Sequence, residues 1–235
     1  MARANLGVLG GMGPLASAEF LQTIYRLNLA LPEQGSPVCI VCSDPTFPDR
    51  TAAIVNGSVQ ALGERLARAL ESLVRIGATR LIITCVTAHY ALPFLPPTLH
   101  RKVISLVDLA VQELAAFPRP RLLLASDGTR RARLFESHER WPSVADWVQF
   151  PDARHQAELH NWIFRLKSGE PAADCLSWLD RLSARYGTDG FIFGCTEFHL
   201  LQRPLAEIGE GDVQAERGVV DPLWIAARDL RKLLH

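Results

Sequence analysis

Two cysteines, Cys85 and Cys195, each stand near the end of a short apolar run, and the two runs resemble each other. The first run, 81–87, is Leu-Ile-Ile-Thr-Cys-Val-Thr, and the second, 191–197, is Phe-Ile-Phe-Gly-Cys-Thr-Glu. Such runs are typical of buried strands, and residues just past the carboxyl ends of strands in an open α/β sheet face the binding crevice. A helix that begins after each run would lower the pKa of its thiol. The pattern predicts a site with one thiol on each side of a substrate.

His89 and His199 each lie four residues after one of these cysteines, which keeps two other chemistries open. Two Cys-x3-His sets could supply four zinc ligands, and a Cys-His pair could form an activated nucleophile. A metal site needs both cysteines and both histidines to meet at one point. A supporting role for His89 is therefore preferred, and no metal is expected.

The other cysteines lack this context. Cys39 and Cys42 have redox or zinc spacing, but no second pair completes a metal site, and residues three apart on a strand point to opposite faces. Cys175 lies in a helical pattern and is expected in the core.

The glycine-rich segment 11–16, Gly-Met-Gly-Pro-Leu-Ala, formally matches a dinucleotide-binding fingerprint after a strand. No acidic residue ends a second strand at the expected distance, so no nicotinamide cofactor is expected. The loop is predicted instead to bring backbone amides close to a small anion.

Charge and composition exclude several classes of partner. The chain of 235 residues has 25 lysines and arginines and 25 aspartates and glutamates, so no overall field attracts nucleic acid or an anionic membrane. No apolar stretch approaches the roughly 18 to 20 residues that span a bilayer, and the first residues do not resemble a signal peptide. An odd count of five cysteines favours free thiols. These features predict a cytoplasmic protein that binds a small molecule, with neither nucleic acid nor membrane as a partner.

Apolar runs alternate with helix-period segments along the chain. Strands are predicted at 5–9, 37–43, 80–84, 102–106, 120–125 and 190–194, with a further candidate at 146–150. Helices are predicted at 14–30, 50–76, 105–116, 128–138, 152–167, 171–186 and 221–234, with a break in the second at 56–58. The alternation predicts an α/β fold of parallel sheets flanked by helices.

The chain also resembles itself. Segment 7–13 aligns with 122–129, and the two cysteine runs repeat at a nearly equal offset. The repeat predicts two pseudosymmetric lobes, 1–116 and 117–209, with a C-terminal helix in 210–235 that packs back on the first lobe. The active site is expected in the cleft between the lobes.

Four motifs resemble those of the cofactor-independent aspartate/glutamate racemases, in the same order and over essentially the whole chain. They are Gly10-Gly11-Met12-Gly13-Pro14, Pro48-Asp49-Arg50-Thr51, Cys85-Val86-Thr87-Ala88-His89 and Gly194-Cys195-Thr196-Glu197. The Gly-Gly-Met-Gly-Pro opening is similar to that of the aspartate racemase branch. The resemblance implies a two-lobed α/β protein, usually a homodimer, that needs no cofactor.

The resemblance also implies roles for individual residues. Cys85 and Cys195 would be the two acid/base thiols, Arg50 would hold a substrate carboxylate, and Lys167 would assist it. The other implied substrate-binding residues are Met12, Gly13, Val86, Thr87, Ser126, Thr129 and Thr196. Position 86 is usually asparagine in the family, and valine cannot form a side-chain hydrogen bond with an amino acid.

Inverting a stereocentre without a cofactor requires removal of the α-proton from one face and delivery of a proton to the other, which two thiols can perform. The predicted function is racemisation of an acidic amino acid, aspartate first and glutamate second. Two alternatives stay open. One is carbanion chemistry on a small diacid, as an isomerase or decarboxylase, and the other is an amino-acid-binding protein without activity.

Overall fold

Two parallel β-sheets organise the chain, and the computed structural model describes residues 4–188, 190–208 and 218–235. The first sheet has the order β2-β1-β3-β4, with β1 (Asn5–Gly10), β2 (Val38–Ser43), β3 (Arg80–Ile83) and β4 (Val103–Ile104). The second has the order β6-β5-β7, with β5 (Arg121–Leu123), β6 (Val148–Gln149) and β7 (Phe191–Ile192). All pairings between these strands are parallel. Each sheet therefore gathers the carboxyl ends of its strands at one edge.

Helices cover both sheets. The α-helices are α1 (Pro14–Arg26), α2 (Arg50–Val55), α3 (Val59–Arg75), α4 (Pro97–His100), α5 (Leu106–Ala116), α6 (Asp127–Arg131), α7 (Ala153–Lys167), α8 (Ala172–Tyr186), α9 (Gln202–Ile208), α10 (Pro222–Arg228) and α11 (Leu230–Leu234). The 3₁₀ helices are Glu33–Gly35, Thr87–Phe94, Trp141–Ser143, Ala145–Trp147 and Thr196–Leu201. The predicted α/β class with two sheets flanked by helices is confirmed.

Several predicted helix boundaries are wrong, for identifiable reasons. The predicted helix 128–138 ends at Arg131, because Arg133 takes a positive φ of 49° that no α-helix continues. The predicted helix 221–234 divides at Asp229, and 14–30 ends at Arg26. The predicted break at 56–58 is present, and Gly57 there has a φ of 70°.

The segments after the two cysteines are 3₁₀ helices, whereas the sequence had indicated ordinary helix starts. Most of their side chains are buried, so neither segment shows the polar face that marks a surface helix. The segment after Cys85 packs against α3, and the segment after Cys195 packs against α1 and α7.

A single hydrophobic cluster crosses from one sheet to the other. It joins Leu6 and Val8 of the first sheet with Leu123 and Ile192 of the second. Each of these side chains is at most 1% exposed. Two further clusters, one per half, cover the other faces of the sheets. Burial of this continuous apolar surface fixes the two halves against each other.

The non-site cysteines lie where the sequence predicted. Cys39 packs against the shared cluster, and Cys42 packs against the cluster confined to the first half, so the two thiols point to opposite faces of β2. Cys175 is fully buried in the cluster of the second half. All the cysteines are free thiols.

The C-terminal helix α10 packs against α1 and α5, which both belong to the first half. Leu223, Ile225 and Ala226 of α10 are buried in the shared cluster together with Phe20 and Ile24 of α1. The beginning of the predicted C-terminal segment, 210–217, lies outside the described residues. Within the described part of the chain, none of the helices is long and apolar enough to cross a membrane.

Candidate active site

Four strand ends converge on one cavity. Met12 follows β1, Cys85 follows β3, Ser126 follows β5 and Cys195 follows β7, and all four line a cavity of about 160 Å³. The remaining lining residues are Asp49, Arg50, Thr51, Thr87, His160, Ile163, Phe164, Lys167 and Glu197. Both halves of the fold therefore contribute to one small cavity that contains polar, charged and apolar side chains.

The structure brings together most of the residues singled out from the sequence. Met12, Arg50, Cys85, Thr87, Ser126, Lys167 and Cys195 all line the cavity. Gly13, Val86, Thr129 and Thr196 do not line it. Val86 is 1% exposed and packs in the shared hydrophobic cluster.

Cys85 is positioned by His89. The His89 Nδ1–H donates a hydrogen bond of 2.9 Å to the Cys85 carbonyl oxygen, and Nε2 accepts one of 3.0 Å from the Leu106 N–H. Burial lowers the pKa of His89 to about 4, so the ring is neutral at physiological pH. His89 thus ties the Cys85 loop to the start of α5 through a fixed tautomer.

The other histidine of the two Cys-x3-His sets has different partners. His199 Nδ1 lies 2.6 Å from Asp221 Oδ2, and Nε2 lies 3.1 Å from Thr23 Oγ1. His89 and His199 are thus both engaged away from the thiols. Among the described residues, no group of three or more His, Cys, Asp or Glu side chains could hold a metal ion.

Cys195 is paired with a carboxylate. Its Sγ–H donates a hydrogen bond of 2.8 Å to Oε2 of Glu197. Burial raises the pKa of the Cys195 thiol well above its usual value, and the charge and hydrogen bond of Glu197 raise it further. The expectation that a helix N-terminus lowers this pKa is wrong for Cys195, because desolvation and the adjacent carboxylate outweigh one short 3₁₀ helix and the opposing charge of Lys167.

Glu197 itself is 2% exposed and lies against Gly13, which follows β1. Its Oε1 has no hydrogen-bond partner and lies 3.6 Å from Nζ of Lys167. A Cβ built at Gly13 would lie 2.5 Å from that oxygen. Gly13 has an ordinary extended φ of −124°, so space for Glu197, and not backbone conformation, accounts for glycine at this position.

Arg50 enters the cavity from the first turn of α2. Its Nη1 donates to the Pro48 carbonyl at 2.9 Å, and its Nη2 donates to the Met12 carbonyl at 3.1 Å, while Nε is buried without a partner. Asp49 caps the same helix by accepting a bond of 2.7 Å from the Ala52 N–H. The guanidinium is thus held in place with one buried donor unused.

Hydroxyl groups connect the halves beside the cavity. Thr87 Oγ1 lies 2.9 Å from Ser126 Oγ and 3.0 Å from Thr129 Oγ1. Thr196 Oγ1 donates to the Thr84 carbonyl at 3.0 Å. Thr129 and Thr196 therefore hold the two halves together without lining the cavity.

Sequence reasoning did not assign roles to Glu197 and His160, although both line the cavity. His160, Phe164 and Lys167 follow one another at the i, i+4, i+7 spacing of one face of α7, which is the signal that identifies His160. Glu197 stands two residues after Cys195, within reach of its thiol. The spacing of His160 from Lys167, and of Glu197 from Cys195, therefore indicates that both residues can reach the site.

The chain matches the sequence model of the Asp/Glu/Hydantoin racemase family over residues 9–230. It belongs to this family, and it is therefore an isomerase of the class of racemases that work without pyridoxal phosphate.

Solved structures share the fold at low identity. The Picrophilus torridus aspartate racemase is 19% identical with a TM-score of 0.75, covering 97% of this chain and 94% of that one. An aspartate racemase homologue from Pyrococcus horikoshii is 22% identical with a TM-score of 0.68, covering 98% of each chain. Glutamate racemase from Francisella tularensis, in complex with D-glutamate, is 14% identical with a TM-score of 0.59, covering all of this chain and 82% of that one.

Proposed function

We propose that this chain racemises an acidic amino acid, aspartate first and glutamate second, by proton exchange between Cys85 and Cys195 without a cofactor. The observation that carries the proposal is that two free thiols, one from each sheet, line the same small cavity as Arg50 and Lys167. One cation comes from each half of the fold.

The two thiols start the reaction in different states. Racemisation needs one thiolate to remove the α-proton and one thiol to deliver a proton to the opposite face. Cys195 is the thiol in the free protein, because burial and Glu197 raise its pKa. Where Cys195 delivers the proton, Cys85 must remove the α-proton, and the roles exchange with the other enantiomer. In a closed complex each sulfur approaches the α-carbon to about 3 to 3.5 Å, so we expect the sulfurs roughly 7 Å apart.

Stabilisation of the carbanion must come from the groups around the substrate carboxylate. A positioned acid and base typically supply only ~10²–10⁴-fold, which is too little for a weakly acidic C–H bond. The unused Nε of Arg50 and the ammonium group of Lys167 supply donors to that carboxylate. Their charge-assisted bonds would strengthen as negative charge moves onto the carboxylate.

Size and charge favour a small dicarboxylate. A cavity of about 160 Å³ has room for only a small ligand, and Arg50 and Lys167 offer two cations for two carboxylates. A carboxylate between such cations offsets the cost of holding them in a desolvated cleft.

The organisation of the whole protein is part of the same proposal. We assign residues 1–116 and the C-terminal helix to the first lobe and 117–209 to the second, and the packing of α10 on α1 and α5 supports this division. We further expect the protein to be cytoplasmic and to form a homodimer. Light scattering coupled to gel filtration would test the dimer.

The decisive experiment is α-proton exchange. Purified protein is incubated in D₂O with L- or D-aspartate, and loss of the α-proton signal is followed by NMR beside chiral analysis of the product. We expect deuterium in the inverted enantiomer at a rate equal to inversion. Absence of exchange with both aspartate and glutamate would refute the proposed substrates.

A further inference from the structure

The carboxylate of Glu197 lines the candidate active site with one oxygen unbonded. Oε2 accepts the Cys195 thiol proton, whereas Oε1 is buried without a hydrogen bond, and the nearest cation, Lys167 Nζ, is 3.6 Å away. That separation is beyond a good hydrogen bond, and a buried charged acceptor without one is costly. The site is therefore built for a donor that the free protein does not supply.

The other lining groups point to a cationic donor at this position. Among the described lining residues, three buried side-chain atoms lack a hydrogen-bond partner: Arg50 Nε, His160 Nδ1 and Glu197 Oε1. Arg50 Nε is a donor and suits a carboxylate, and His160 Nδ1 faces Asp127 at 3.7 Å. Glu197 Oε1 is the one charged acceptor of the three.

Resting on the proposed function, we propose that Glu197 binds the α-ammonium group of the substrate through Oε1, and so selects amino diacids over diacids that lack the amino group. The α-nitrogen and the α-hydrogen share one carbon, so the group that binds the nitrogen must adjoin the thiol that reaches the hydrogen. Glu197 meets this requirement, because its other oxygen already contacts the Cys195 thiol.

Several neighbouring groups are poorly placed to accept a hydrogen bond from the ammonium group. Val86, at the position where the family usually has asparagine, is buried in the core and does not line the cavity. Thr87 and Ser126 bond each other, and the Met12 carbonyl is occupied by Arg50. A diacid without an amino group would occupy Arg50 and Lys167 with its two carboxylates and would leave Oε1 of Glu197 without a hydrogen-bond donor.

The test compares two ligands that differ in the amino group, L-aspartate and succinate, by isothermal titration. Glu197→Gln is the informative variant, because it has the same shape, keeps an acceptor for the Cys195 thiol and removes the charge. We expect aspartate affinity to fall at least about tenfold. Succinate affinity should stay unchanged or rise, because Lys167 is no longer neutralised by a carboxylate.

Glu170→Gln is the matched control, because Glu170 pairs with Arg165 outside the cavity. It should leave both affinities unchanged. Retained succinate binding shows that the Glu197→Gln site is intact. Equal losses for both ligands, or wild-type protein that binds succinate as tightly as aspartate, overturn the role of Glu197 while leaving racemisation standing. Wild-type protein that binds neither aspartate nor glutamate refutes the proposed function and this inference together.

Discussion

Cys85 and Cys195 have similar sequence contexts but different surroundings. The His89 ring bonds the backbone of Cys85, whereas a carboxylate bonds the thiol of Cys195. The sequence predicted both thiols and the two cations of the cavity, because each stands at a strand end or in a recognisable motif. It did not predict the asymmetry, because burial and the direction of the Glu197 side chain arise only when the two sheets meet.

Removing either thiol should stop racemisation. We expect Cys85→Ala and Cys195→Ala each to lower kcat/KM at least ~10²-fold in both directions, because the reaction needs an acid and a base. Polarimetry or chiral chromatography measures the rates for both enantiomers. Cys42→Ala, at a half-buried cysteine outside the cavity, should retain activity. Near-normal inversion by Cys195→Ala would contradict the two-thiol mechanism.

His89 makes the stability of the fold depend on pH. Its pKa is lowered to about 4 in the folded protein from an unfolded value of about 6.5, so the unfolded chain binds more protons as the pH falls. Its contribution to stability is complete above pH ~6.5 and is lost progressively toward pH ~4. At pH ~4.5 the loss amounts to roughly 2 to 3 kcal/mol of the free energy of unfolding.

Urea unfolding at pH 7 and at pH 4.5 tests this contribution. His89→Gln should show a smaller decrease in the free energy of unfolding between the two pH values than the wild type. An equal decrease in both proteins would show that His89 does not cause the dependence.

At the scale of elements, strands were easier to predict than the segments that follow them. The strand runs are continuous and apolar because helices cover both faces of each sheet. The 3₁₀ helices Thr87–Phe94 and Thr196–Leu201 are buried on most sides and show no helical period, so the sequence indicated only that a helix begins there. Glu197, which bonds the Cys195 thiol, and His89, which bonds the Cys85 carbonyl, lie in these segments, so the site was predicted less completely than the sheets.

The contact between the start of α1 and Glu197 should be sensitive to one methyl group. Gly13→Ala introduces a Cβ 2.5 Å from Glu197 Oε1 and must displace that carboxylate. Alanine is compatible with the backbone there, because the φ angle of Gly13 is −124°. We expect kcat/KM for aspartate to fall at least about tenfold while the fold survives, since a small displacement of a positioned group is costly. Gly35→Ala is the control, because its Cβ would make only ordinary contacts from 3.5 Å outward. Wild-type kinetics in Gly13→Ala would show that Glu197 can move freely.

At the scale of the whole molecule, the internal repeat predicted two α/β halves, but not how they share a core. An apolar run in the sequence indicates that a strand is buried. It does not indicate which other strand or helix packs against that strand. The structure joins Leu6 and Val8 to Leu123 and Ile192 in one cluster, and Thr196 bonds the Thr84 carbonyl across the halves. The cavity therefore lies between parts that pack as one body.

The shared core predicts that both halves unfold together. Leu123→Ala removes a side chain that is 1% exposed within the shared cluster, and should lower stability by about 2 to 5 kcal/mol. Hydrogen exchange of β5 reports the second half, and hydrogen exchange of β1 reports the first half. Both probes should give one coincident transition in the wild type, shifted equally in Leu123→Ala, because a continuous core couples the sheets. A variant that loosens only the second half, with β1 protection unchanged, would show instead that the lobes are independent units and that the cavity is formed by docking them.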